Sequence, residues 1–254
     1  MAAPVSAPTA LVTGASRGIG RAIAEQLAAR GVRIAVHFRE NRSAAEDVLA
    51  HLPGSGHRLF PADVSEPDAC AGLFSSVVEA FGRCDLLVNN AGIYEKHNLQ
   101  DTTFAEWQRL WRRTISANLE GPAHLSFLAA QHMRAAGGGR IVNISSRGAF
   151  RGEPDAPAYG AAKAGLNAFG QSLAKALAPE HIYVFCVAPG WVDTDMAAPH
   201  LNGPRAAEIL AQQPLGRVTT AAEVARTVVF CALDAPAAMT GAIIDVNGAS
   251  YLRT

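Results

Sequence analysis

Seven short apolar runs, separated by stretches with helical spacing, constrain this chain more than any other feature. They run from Thr9 to Thr13, Arg33 to Phe38, Arg58 to Pro61, Leu86 to Asn89, Arg140 to Ser145, Tyr183 to Val187 and Ala242 to Val246. Most are continuous rather than alternating, as expected of strands buried on both faces of a parallel sheet. Between them, Ile19, Ile23, Leu27 and Ala28 share one helical face before Gly31, and Leu73, Val77 and Phe81 share another before Gly82. Strand and helix in repeated alternation predict an α/β, doubly wound fold: a seven-stranded, mostly parallel sheet with helices on both faces and a crevice at the strands' carboxyl ends.

No fixed-period repeat and no long Pro-, Gly- or Ser-rich linker divides the chain, so residues 9–254 read as a single domain and residues 1–8 as a disordered lead. The 254 residues, 49% of them hydrophobic, carry enough apolar material for one large core. The 22 basic and 22 acidic residues cancel, which disfavours nucleic acid and anionic lipid as partners and points to a small molecule. Cys70, Cys84, Cys186 and Cys231 form no Cys-x-x-Cys pair, and the histidines make no metal-ligand pattern, so reduced thiols and no metal are expected. No basic-then-apolar leader is visible, and no uncharged run approaches the ~20 residues that span a bilayer. Cytoplasmic residence is the expectation.

After the first apolar run comes Thr13-Gly14-Ala15-Ser16-Arg17-Gly18-Ile19-Gly20, leading directly into a helix. Glycines let the backbone approach a pyrophosphate, while the helix start offers unpaired N–H groups and a positive dipole end. The spacing differs from G-x-G-x-x-G, and by itself the segment also fits a glycine-rich turn.

Further segments stand in order behind it: Asp63-Val64, Asn89-Asn90-Ala91-Gly92, Asn118, Ser146, Tyr159-Gly160-Ala161-Ala162-Lys163 and Pro189-Gly190. From about Ala10 to Tyr251 the sequence resembles the short-chain dehydrogenase/reductase family, whose members fold as Rossmann domains, and within it looks most like the 3-oxoacyl-carrier-protein reductases. The resemblance implies a nicotinamide dinucleotide held by Gly14, Ser16, Arg17, Gly18, Ile19 and Gly20. It further implies that Asp63 and Val64 face the adenine, that Asn90, Ala91 and Gly92 support the adenosine side, and that Pro189, Gly190, Val192 and Thr194 hold the carboxamide. The Asn-Asn-Ala-Gly stretch also reads as a strand-ending turn, and the two roles are compatible.

Tyr159 and Lys163 are four apart in a segment of helical character, so they share a face, and Ser146 lies thirteen residues upstream at a strand end. A phenol of pKa near 10 is a poor acid at neutral pH, and bringing it to about 7 takes roughly 4 kcal/mol of phenolate stabilisation. A neighbouring ammonium and a positively charged nicotinamide have the right sign. The resemblance assigns proton donation to Tyr159, phenol activation and ribose binding to Lys163, substrate hydrogen bonding to Ser146, and a proton-relay water to Asn118. Asn118 is alternatively a polar residue packing a helix kink, and Ser145 is the alternative to Ser146. Strand alternation sends only one of the two serines toward a substrate.

An acid near the end of strand two binds the ribose of NAD, whereas a base there accommodates the 2′-phosphate of NADP. Phe38 occupies the acid's place, Arg39 follows, and Arg17 lies in the glycine loop. NADP(H) is therefore expected over NAD(H), with Glu40 as the competing ribose acid and a solvated surface charge as the alternative for Arg39. Tyr94, Phe150, Trp191 and a lid at residues 191–213 are the substrate-side candidates. The helix before Asn118 looks long, Phe185 stands where the family often has Asn, and Gly137 and Glu180 stand where carrier-protein reductases tend to be basic. These departures favour a general reductase of ketones, or dehydrogenase of secondary alcohols. A 3-oxoacyl-carrier-protein reductase and a catalytically silent nucleotide-binding regulator are the alternatives. Family members usually assemble as homotetramers or dimers, here through small-residue helices around Asn118 to Met133 and Tyr159 to Ala178.

Overall fold

The computed structural model describes residues 7–253. Its strands are β1 (Thr9–Val12), β2 (Arg33–Phe38), β3 (Arg58–Pro61), β4 (Leu86–Asn89), β5 (Gly139–Ile144), β6 (Ile182–Pro189), β7 (Val192–Asp193), β8 (Thr219–Thr220) and β9 (Ile243–Val246). Seven of them form one sheet in the order β3-β2-β1-β4-β5-β6-β9, with every neighbouring pair parallel. β7 and β8 make a small second ladder. The strand order reverses between β1 and β4, so a crevice opens where the chain leaves β1 in one direction and β4 in the other.

Helices α1 (Gly18–Ala28), α2 (Arg42–His51), α3 (Pro67–Phe81), α4 (Phe104–Ile115), α5 (Gly121–Ala136), α6 (Gly148–Arg151), α7 (Pro157–Leu177), α8 (Ala198–Leu201), α9 (Ala206–Ala211) and α10 (Ala221–Val229) follow the strands. The sheet separates two cores. On one side Ala10, Val12, Ile34, Val36, Phe185 and Val187 pack with Ile23, Leu27, Val224 and Val228 of α1 and α10. On the other, Leu11, Ala35, Leu87, Ile141 and Val184 meet Phe74 and Val77 of α3 and Leu125, Ala129 and Met133 of α5. Successive residues of one strand thus enter opposite cores, which is why these strands are apolar throughout.

The strand limits differ from the sequence expectation by a residue or two. β6 extends through Pro189 because β5 and β9 pair with it on both sides, and β1 ends at Val12 because Thr13 turns its hydroxyl onto Val88 O at 3.2 Å. Ser145 lies past the end of β5, although its N–H still donates to Val187 O at 2.7 Å. Of the expected disordered lead, residues 1–6 lie outside the described residues, while Pro8 is held, its carbonyl accepting the Arg33 N–H at 2.8 Å.

One buried side chain joins β2 to the turn after β1. His37 on β2 is 2% exposed. Its Nδ1 accepts the Gly14 N–H at 2.9 Å and its Nε2 lies 3.1 Å from Ala62 O, a pattern satisfied by the neutral ring with the proton on Nε2. Burial pushes its pKa down to about 4, against the opposing pull of the Ala62 carbonyl and Asp63. Between pH 6.5 and 4 the unfolded chain therefore binds a proton that the folded ring refuses. Stability from this group is complete above pH 6.5 and falls toward pH 4, by about 3 kcal/mol. Urea unfolding over that range should show the wild type losing about 3 kcal/mol more than His37→Gln, which cannot protonate; parallel profiles would remove His37 from the acid response.

Candidate active site

A cleft of about 560 Å³ opens at the carboxyl ends of β1 to β6, lined by the segments that follow each strand. Its glycine end is built from β1 and β4. Gly14 has φ +63°, and a Cβ on it would stand 3.0 Å from Ala91 Cα, while a Cβ on Gly20 would collide with the Gly14 carbonyl. Only glycine lets α1 start this close beneath the turn. Thr13 Oγ1 accepts the N–H groups of Asn90 and Ala91 at 2.9 Å each, and Asn90 Nδ2 donates to Thr13 O at 2.8 Å and Gly14 O at 3.2 Å. The strand-ending role of Asn-Asn-Ala-Gly is therefore realised, and Ala91 and Gly92 also face the cleft. Ser16, Arg17, Gly18 and Ile19 complete this wall, and Thr194 closes on it from the far side, its Cγ2 3.3 Å from where a Gly18 Cβ would be.

At the opposite end the structure brings Ser146, Tyr159 and Lys163 together. Ser146 lies just past β5, its Oγ accepting the Gly148 N–H at 3.0 Å and facing the Tyr159 hydroxyl. Ser145 also lines the cleft, but its Oγ donates to Lys163 O at 3.3 Å on α7. Lys163 Nζ lies 5.8 Å from the Tyr159 ring centre and donates to Ile144 O at 2.8 Å. Burial pushes the Tyr159 phenol up to about 12, with Ser146 opposing and Glu153 adding to it, and pushes the Lys163 ammonium down to about 8. Burial thus outweighs the Ser146 hydrogen bond at the phenol, and the expected lowering falls to the positive nicotinamide together with the lysine.

Asn118 is fully buried behind this wall rather than in it. It sits on a π turn (Ser116–Glu120) between α4 and α5, its Nδ2 donating to Ile93 O and its Oδ1 accepting Ile93 N–H, both at 2.8 Å. A Cβ on Gly92 would come 2.9 Å from Asn118 Oδ1 and 3.5 Å from Lys163 Nζ, so the amide and the lysine flank the same small residue. Asn118 thus lies in a wide turn, a form common at functional sites.

Several cleft residues carry no sequence signal. Tyr94, expected, packs edge-on to Tyr159 at 5.1 Å, but also to His200 at 5.8 Å, which in turn lies 5.3 Å from Trp191. Phe150 stays outside the wall: its ring lies under the Arg253 guanidinium at 4.5 Å. Within residues 191–213, Trp191, Val192, Thr194, Met196, Ala197 and His200 reach the cleft. His97 is fully buried, accepting the Ala158 N–H at 3.0 Å on Nε2, and so caps α7 one residue before Tyr159 where no local side chain does. Arg147 and Glu153 also line this end.

The third region lies beyond β2. Arg39 and Arg17 line the cleft, with Arg39 Nη2 2.9 Å from Glu40 Oε1. Glu40 is 77% exposed past the strand end, and Phe38 is buried beneath Arg42 at 5.6 Å. Burial raises the Asp63 carboxyl, but bonds from Ser65 Oγ and N–H and the Arg39 and Arg113 charges hold it below the usual range. Pro189 and Gly190 form the floor between the ends, the Gly190 N–H donating to Val246 O at 3.1 Å. These residues fit a dinucleotide. The glycine cradle leaves room that a Cβ at Gly14 or Gly20 would fill, and α1 starts at Gly18, after Arg17, with no side-chain cap on its first N–H groups, which suits a pyrophosphate.

The family model described as enoyl-(acyl carrier protein) reductase matches residues 14–249. An uncharacterized short-chain type dehydrogenase/reductase of Sinorhizobium fredii is 38% identical over 96% of this chain and 98% of its own. The 3-oxoacyl-(acyl-carrier-protein) reductase of Escherichia coli is 40% identical over 96% and 97%. The cis-4-hydroxycyclohexanecarboxylate dehydrogenase of Sinomonas cyclohexanicum is 40% identical over 94% of each. With this similarity over a parallel seven-stranded sheet whose cleft gathers Ser146, Tyr159 and Lys163, the chain belongs to the short-chain dehydrogenase/reductase family, a family of oxidoreductases.

Proposed function

We propose that this protein is an NADP(H)-dependent reductase of ketones and dehydrogenase of secondary alcohols, with Ser146, Tyr159, Lys163 and Asn118 as its working set. The observation that carries the reading is the meeting of Ser146, Tyr159 and Lys163 at one end of a cleft whose other end is a glycine loop flanked by two arginines. When bound, the nicotinamide supplies or takes up the hydride. Tyr159, kept protonated by burial, gives its proton to the substrate oxygen as charge develops there. Ser146 Oγ, already accepting from Gly148, keeps its own hydrogen free to donate to that oxygen. Lys163, held by Ile144 O, holds the nicotinamide ribose and places a positive charge beside the phenol. Asn118 fixes Ile93 and Gly92 against Lys163, and a water beside it is the relay we assign. Asp63, Val64, Asn90, Ala91 and Gly92 take the adenosine side, and Pro189, Gly190, Val192 and Thr194 the carboxamide. Residues 191–213 act as the lid, on the one catalytic domain of residues 9–254.

A 3-oxoacyl-carrier-protein reductase is the second reading, favoured by the similarity to the Escherichia coli enzyme. Against it, the face near Gly137 is not basic: Arg134 of α5 is neutralised by Glu180, which takes both Nε and Nη2. A silent nucleotide-binding regulator is opposed by the intact acid, serine and lysine. No described helix is long and apolar enough to cross a membrane, and cytoplasmic residence remains part of this reading.

Tyr159→Phe should abolish ketone reduction and leave NADPH affinity within a few-fold, because the proton donor is lost while the glycine loop is untouched. In the wild type, alcohol oxidation should climb with pH, since it needs the phenolate that burial disfavours. A variant keeping a tenth of the activity in stopped-flow assays would take Tyr159 out of the chemical step. Wild type that binds NADPH tightly yet consumes none against a panel of ketones would leave the silent regulator.

Charge-assisted bonds from Arg17 and Arg39 to a 2′-phosphate, about 1.5–3 kcal/mol each before screening, should favour NADPH over NADH about tenfold or more. Arg39→Ala should erode most of that preference with little effect on NADH. Equal affinities of wild type for the two cofactors by fluorescence titration would return Glu40 to the ribose. Phe104 on α4 and Phe127 on α5 are exposed, as suits helices that pair between copies, so light scattering should give a dimer or tetramer; a monomer at micromolar concentration would contradict this assembly.

A further inference from the structure

Arg147 follows Ser146 and is 4% exposed, yet it lines the cleft. Its main-chain N–H donates to Pro189 O at 2.8 Å, which anchors the residue between the ends of β5 and β6. A guanidinium carries five N–H donors. Among the described residues it makes one side-chain hydrogen bond, from Nη1 to Ser250 Oγ at 2.8 Å. It forms no ion pair within 4.0 Å among them. Glu153 attracts it from farther away, but that carboxylate sits 3.7 Å from Arg151 Nε and packs on Gly148. Arg151 itself repels Arg147.

Burial and Arg151 together pull the Arg147 pKa down, but a guanidinium stays charged. A buried cation without a bonded anion is costly, and one serine hydroxyl offsets little of that cost. The charge therefore calls for an anion in the working state. The 2′-phosphate site at Arg17 and Arg39 lies at the other end of the cleft, beyond β2, whereas Arg147 stands at the reacting end, next to Ser146. Tyr94, Trp191 and His200 give that end flat, largely apolar walls.

We infer that Arg147 receives a substrate carboxylate, so that the cleft selects keto acids and hydroxy acids over neutral ketones and alcohols. The inference rests on Ser146 and Tyr159 being the reacting pair. It goes further in naming the substrate's charge and the residue that reads it.

The test compares kcat/KM with NADPH for 4-acetylbenzoate and its methyl ester. Wild type should prefer the acid about tenfold or more, the scale of a charge-assisted bidentate pair. In Arg147→Met the acid-to-ester ratio should fall at least tenfold, chiefly through KM for the acid, and Arg147→Lys should restore part of it. An acid-to-ester ratio of one or below in the wild type, or equal fractional losses on both substrates in Arg147→Met, overturns the inference. An equal loss is what a purely structural arginine would give. Should Arg147→Met not fold, benzoate and benzamide binding to the NADPH-saturated wild type, read by thermal shift, decides: selective stabilisation by benzoate supports the anion site, and none overturns it. Reduction of the ester alone sinks the inference and leaves the reductase reading standing. Selective benzoate binding with no turnover of either ketone does the reverse.

Discussion

The site depends first on the bond pattern of Thr13. Its hydroxyl donates to Val88 O and accepts from Asn90 and Ala91, so it ties the end of β1 to the end of β4 where the strand order reverses. Each buried bond contributes about 1 kcal/mol net, but leaving any of these groups unpaired would cost about 1–3 kcal/mol. Asn90 adds a second tie to the main chain of the glycine turn. With these two ends held, the turn after β1 and the segment after β4 diverge around a crevice whose position is set by topology rather than by local propensity.

Two-sided burial supplies the rest of the rigidity. Alternate residues of β1, β2, β5 and β6 enter separate cores, and Asn89 Nδ2 donates to Asn143 Oδ1 at 2.9 Å on the neighbouring strand and to Ser126 Oγ of α5 at 3.0 Å. The strand ends are thereby fixed relative to α7, and α7 presents Tyr159 and Lys163 one turn apart to Ser146. His97, capping α7 from the chain after β4, makes the same helix depend on the loop that carries Ile93 and Tyr94.

At the reacting end burial favours the neutral forms, raising the phenol of Tyr159 and lowering the ammonium of Lys163, in opposite directions but for one reason. A positive charge brought near the phenol acts against a background that holds it protonated, which suits proton donation at neutral pH. At the same end stand the Arg147 guanidinium, bonded to Ser250 Oγ, and the Glu153 carboxyl, whose pKa burial raises.

What can be read along the chain is what short-range patterns encode. Continuous apolar runs specify strands buried on both faces, Gly14 to Gly20 specifies a tight turn into a helix, and the spacing of Tyr159 and Lys163 specifies a shared helical face. Ser146 is favoured over Ser145 by its thirteen-residue spacing from Tyr159, and Arg39 is picked out by its place after β2. Phe150, a substrate-side candidate, lies on α6 and packs instead on Arg253. His37, His97, Arg147, Glu153 and His200 bear no motif; the hydrogen bonds that place His37, His97 and Arg147 join residues 23, 61 and 103 positions apart. The direction of the Tyr159 shift was likewise decided only by the tertiary structure, since desolvation depends on everything packed around a group and not on its neighbours in sequence.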